Sequence, residues 1–129
     1  MNLKIFTEKE CRVITREPSV RITTGGVLMI NTAAMKQMQL AAGNRIAMAQ
    51  DAENPRDWYI YRNADGLEIK VKNGKQQSWG IQSSFLCNEI LKSLGFEKGK
   101  TCGFKLAPAP TELDGKTLWA LITSKILKA

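Results

Sequence analysis

Histidine is absent from all 129 residues, which removes the commonest general base and the commonest zinc ligand together. Cysteine is scarce. Cys11, Cys87 and Cys102 are an odd number with no C-x-x-C spacing, so they suit neither a disulfide framework nor a zinc ribbon. Such thiols are expected as small apolar core groups in a reducing compartment. No apolar run approaches the roughly 18 to 20 residues that a membrane span requires. The start, Met1 through Glu8, meets an acid before an apolar stretch can develop. No signal peptide is therefore expected, and the protein is predicted to be cytoplasmic with no membrane partner.

What is present fits one domain. A 43% hydrophobic and 24% charged composition is close to the globular average, and the length suffices to bury a core without staples. Nineteen Lys and Arg against twelve Asp and Glu leave a formal charge of +7. An excess of this size favours polyanions, nucleic acid or anionic surfaces, as partners, although solubility alone can also account for a basic chain.

The order of local signals repeats. Ser19 to Thr24 alternates Val20 and Ile22 with polar neighbours, Gly25-Gly26 turns the chain, and Val27 to Ile30 is a buried-looking strand. Thr32 is the expected N-cap of a short helix reaching Gln39, which Leu40-Ala41-Ala42-Gly43 ends. Asn44 to Gln50 alternates Ile46 and Met48, and Asp57 to Tyr61 is an aromatic strand. The same order then restarts. Leu67, Ile69 and Val71 alternate with Glu68, Lys70 and Lys72, and Asn73-Gly74 is a hairpin signal. Gln77 to Ile81 follows as a strand, and Ser83 or Ser84 caps a helix with Phe85, Leu86, Ile90, Leu91 and Leu94 on one apolar face. Gly99 matches Gly43, Cys102 to Leu106 is a strand, Pro108 to Gly115 a loop, and Leu118 to Ile122 answers the Trp58 strand. The expected fold is α+β: an arm over 1–18, carrying two short strands, then ββαββ repeats over 19–63 and 64–129 that close on each other like a two-fold dimer in one chain.

Little in the chain announces catalysis. Gly95 to Thr101 has a superficial likeness to a phosphate loop, but only three residues separate its glycines and the helix precedes it. The acids Glu53, Asp57, Glu112 and Asp114 flank loops, and nothing aligns Ser93 with Lys92. The expectation is a protein that is not an enzyme and uses no metal or cofactor.

The cations are placed more suggestively. Arg12, Arg16, Arg21, Lys70, Lys72 and Lys75 fall on expected strands or hairpin tips. Lys70 and Lys72 share a face opposite Ile69 and Val71, because successive strand side chains alternate. With Lys75 they form a cationic finger suited to phosphates, or the lysine-rich polar side of an ordinary half-buried strand. Trp58 and Trp119 occupy matching positions and read as core. Tyr59 and Tyr61 share the other face of their strand and are the candidate base stackers.

Gly26 to Ile30, the helix after it, and Leu40-Ala41-Ala42-Gly43-Asn44-Arg45-Ile46 resemble the AbrB/SpoVT-like swapped-hairpin family of transition-state regulators and antitoxins. A looser version runs from Trp79 through Lys100. Asn31 and Gln82 stand where that family has proline, and Asn44 and Lys100 where it has an acid. The resemblance implies a swapped-hairpin barrel that binds duplex DNA, with regulation of transcription as its role. On this chain Arg21, Lys70 and Lys72 would make the contacts, joined by Lys36 and Arg45, with room for a homo-oligomer; Lys75 belongs with Lys70 and Lys72 on the cationic finger. Grouping the four strands from Asn44 to Gln82 with the following helix instead resembles single-stranded DNA-binding regulators of the Whirly type, in which Tyr59 and Tyr61 would matter most. A non-catalytic protein-interaction module is the remaining alternative.

Overall fold

Val20 and Ile22 are fully buried while Arg21 between them is exposed, the period-two signature of a strand with one face on a core. That strand is β1 (Ser19–Ile22), and a turn with Gly26 at φ 76° joins it to β2 (Val27–Ile30). The computed structural model describes Leu3 and residues 17–72 and 78–127, with backbone alone at 72 and 125–127. The expected strands near Lys4 and Arg12, with Cys11 and Arg16, lie outside the described residues, as does the Asn73-Gly74 turn.

After β2 come α1 (Thr32–Gln37), β3 (Arg45–Gln50), β4 (Trp58–Arg62), β5 (Leu67–Glu68), β6 (Lys70–Lys72) and β7 (Ser78–Gln82). Then follow α2 (Ser84–Ser93), β8 (Cys102–Leu106), β9 (Thr111–Leu113) and β10 (Lys116–Leu127). The strands pair in the order β5-β3-β4-β10-β8-β1-β2-β7-β6, with β9 folded onto β10. Every pairing among the described residues is antiparallel.

The two ends of that order, β5 and β6, are separated in the chain only by Ile69. One extended segment thus lies against β3 at its start and β7 at its end. At the junction the Ile69 N–H donates to the Asn44 carbonyl and the Gly43 N–H donates to the Ile69 carbonyl, each at 2.8 Å. The sheet is a nearly closed barrel with two helices packed on it, the α+β class expected from the sequence.

Ile22, Leu28, Ile46, Ile60, Ile69, Ile81 and Phe104 fill the interior, joined by Met35 from α1 and Met38 just past its end, and by Cys87, Ile90 and Leu91 from α2 and Leu94 just past its end. Burying one large aliphatic side chain stabilises by about 1.5–3 kcal/mol. An exposed ion pair such as Arg45–Glu68 or Lys105–Glu17 contributes at most about 1 kcal/mol. The core, not the charges, holds the fold.

Several local expectations need correction. Asn31, not Thr32, caps α1: its Oδ1 accepts from the Ala34 N–H at 2.8 Å and also from the Ser19 N–H, tying the helix start to β1. That helix stops at Gln37, and the left-handed residue beyond its C-cap is Gln39 (φ 56°); Gly43 (φ 91°) turns the chain into β3. Ser83 caps α2. Phe85 is 76% exposed, because the buried stripe runs through Cys87, Ile90, Leu91 and Leu94 at helical spacing and leaves Phe85 on the far side. Leu67 and Val71 are each 37% exposed, so Ile69 alone anchors its strand inward. The expected loop after Pro108 contains β9, paired to β10 around Asp114-Gly115.

Two measurements follow from the packing. A methyl group at Gly66 would lie 2.2 Å from the Ile46 carbonyl oxygen, backbone that cannot rotate away. Gly66→Ala should therefore cost about 2 kcal/mol or more in urea unfolding. Burial raises the Cys87 thiol from 9.0 to about 11 and pushes Cys102 upward too. A neutral thiol favoured by folding stabilises fully below pH 9, and that contribution is lost as pH rises through the folded value. Melting temperature should fall above pH 9, and the fall should be shallower in Cys87→Ala.

Candidate nucleic-acid interface

Residues paired directly across a sheet project to the same side. Arg21 pairs with Met29, Met29 with Gly80, and Gly80 with Lys70, one row across β1, β2, β7 and β6. Arg21 is exposed between buried neighbours, so this row faces outward, as the exposure of Lys70 beside fully buried Ile69 also requires. Three strand spacings put the two cations roughly 14 Å apart. The floor between them is apolar: a Cβ on Gly80 would meet Val27 Cγ1 at 2.9 Å and Met29 Sδ at 3.2 Å. On the other side of Arg21 the paired residue is Gly103, which adds no side chain.

The same outer surface carries Lys105, opposite Ser19, and its ammonium meets the Glu17 carboxylate at 2.8 Å. Sequence reasoning passed over Lys105, although the alternation of Cys102, Phe104 and Leu106 would have placed it outward. Among the described residues neither Arg21 nor Lys70 forms an ion pair. Two unneutralised cations flanking an apolar strip are suited to phosphates.

The other expected contacts are distributed differently. Lys72 pairs through its backbone with Ser78, two positions along from Lys70; its side chain and Lys75 lie outside the described residues. Lys36 is exposed in the last turn of α1, where a cation complements the helix carbonyl end, and is not part of the row. Arg45 is held at the closure: Nη1 donates to the Gly66 carbonyl at 3.0 Å and Nη2 lies 3.8 Å from Glu68. Tyr59 and Tyr61 do share one face of β4, opposite Ala49, Ala120 and Ala47, and both are half-buried. That wall is separated from β1 by β10 and β8, so the tyrosines and the cationic row do not make one surface.

Asn31 and Gln82 both work through side-chain amides. Gln82 Nε2 donates to the carbonyls of Gly25 and Gly26 at 3.0 and 3.3 Å, fixing the β1–β2 turn beside the cationic row. The segment Gly95 to Thr101 follows α2 and enters β8, with Gly95 and Gly99 in left-handed turns. No known family, curated protein or solved structure matches the chain. Among the described residues no group of three or more Cys, Asp or Glu is placed to hold a metal ion, and no helix is long and apolar enough to cross a membrane.

The Arg45 geometry assigns it to the closure. Arg45→Gln should lower unfolding stability by about 1 kcal/mol, the value of a partly exposed charged hydrogen bond. The denaturant midpoint measures this directly.

Proposed function

We propose that the protein binds duplex DNA through the Arg21–Lys70 row and acts as a regulator of transcription, with two ββαββ units clasped as a pseudo-dimer. The single observation that carries the binding reading is the placement on one outward row of two cations that form no ion pair among the described residues, where the net charge of +7 supplies the long-range attraction.

The strand register supports the pseudo-dimer. If Trp58 and Trp119 are equivalent, pairings in one unit find counterparts in the other. Val20 opposite Phe104 corresponds to Leu67 opposite Ile46, and Met48 opposite Ile60 corresponds to Leu106 opposite Leu121. The pairs Leu28–Ile81 and Tyr59–Ala120 map onto themselves, so a pseudo-two-fold axis would pass through both. This is the strand exchange that a swapped-hairpin barrel of the AbrB/SpoVT type implies. Under the same equivalence Arg21 corresponds to Glu68 and Lys70 to Thr23. The charge is therefore not two-fold symmetric, and the DNA site it fits need not be a palindrome.

A second reading is favoured by one feature: Tyr59 and Tyr61 stand outward among alanines, an arrangement suited to stacking single-stranded bases. Labelled duplex and single-stranded DNA titrated at several salt concentrations separate the two. Duplex binding should weaken with about one unit of log slope per phosphate contact, and Arg21→Ala with Lys70→Ala should reduce that slope by about two for every sequence. Quenching by single strands that is lost in Tyr59→Ala would favour the second reading. Retention of neither at low salt removes both.

A further inference from the structure

We propose that a cleft beside Trp119, about 540 Å³ in volume, binds a planar aromatic anion of the nucleotide kind. The volume lies within the range of small-molecule sites, about 300–1,000 Å³. Its apolar walls include Met38 and Leu40 past the end of α1 and Trp119 from β10, while Tyr61, Arg62 and Lys116 line the polar side.

The cleft exists because α1 is short. At the matching strand position, Trp58 Nε1 donates to Ser93 Oγ at 2.8 Å in the last turn of α2, and Trp58 is only 5% exposed. Helix α2 has ten residues and α1 six, so no corresponding turn reaches Trp119, which stays half-buried. Trp119 is thereby left at the wall of a concavity instead of under a helix.

Charge selects the ligand class. Two cations and no carboxylate line the cleft. Arg62 is oriented by hydrogen bonds to the Gln39 carbonyl and to Asn44 Oδ1, both of which are neutral acceptors that leave its charge unbalanced. Lys116 Nζ sits 5.7 Å from the centre of the Tyr61 ring. Glu112, on the adjoining strand, accepts from the Thr117 hydroxyl at 3.0 Å. Aromatic and aliphatic surface beside two fixed positive charges matches a flat ring system carrying a phosphate. A bare phosphate would leave the apolar wall unused, and a neutral ring would leave the cations unmet. Such a group is offered by a free nucleoside monophosphate or by one unstacked nucleotide of a strand. The site lies apart from the Arg21–Lys70 row and does not depend on duplex binding.

The test is calorimetric titration of the full chain with adenosine 5′-monophosphate, adenosine and inorganic phosphate, followed by amide chemical shifts. Saturable binding of the monophosphate is expected, with adenosine and phosphate each at least about tenfold weaker and shifts centred on residues 37–40, 60–62 and 115–119. Lys116 is exposed, so Lys116→Glu should leave the melting temperature unchanged and weaken binding about tenfold or more, the equivalent of about 1.4 kcal/mol. A short single-stranded oligonucleotide that displaces the monophosphate, dependent on Lys116, would identify a strand as the source; monophosphate binding that resists displacement would identify the free nucleotide. Absence of saturable binding, indifference to Lys116→Glu, or phosphate binding as tightly as the monophosphate would overturn the proposal.

Discussion

The fold depends on one strand serving two neighbours. Residues 67–72 lie against β3 at their start and β7 at their end, and the pair of hydrogen bonds between Ile69 and the Gly43–Asn44 segment joins the two pairings. Without that junction β3 and β7 would each present an open edge of unpaired backbone groups, the usual starting point for aggregation. Closure also fixes register. Ile69 is wholly buried, and a slip of one residue would turn it outward and drive Glu68 or Lys70 into the core. Gly66 permits the close approach of this strand to β3, and Arg45 braces it from outside.

Because closure sets which side chains face out, it also sets the chemistry of each wall. One wall, across β1, β2, β7 and β6, presents Arg21 and Lys70 around an apolar strip. Another, on β4, presents Tyr59 and Tyr61 among alanines. Beside the short helix lies the cleft with Trp119, Arg62 and Lys116. Burial of the aliphatic core fixes the strands, so the backbone positions from which these charges and rings project are set by the fold.

Much of the architecture was legible where a signal is local. Alternation at Val20 and Ile22, the run Cys102 to Leu106, the tryptophan strands and the long second helix all appear where periodicity put them. What escaped was set by contacts distant in sequence. Asn31 displaced Thr32 as the cap because its amide also reaches Ser19 and Glu17. Phe85 looked apolar enough for the core, yet the smaller Cys87 holds the buried position. The outward place of Arg21, the engagement of Arg45 and the cleft beside Trp119 depend on which strands become neighbours, and composition and period carry no record of that. The unequal helix lengths were visible in the sequence; their consequence for the tryptophans required the packing.

Residue-resolved amide hydrogen exchange tests the closure most directly. The amides of Ile69 and Gly43 should exchange nearly as slowly as the best-protected amides of β1 and β8, opening only in the global unfolding event. Fast exchange at those two positions, with the remaining strands still protected, would mean an open sheet and would contradict the nearly closed barrel.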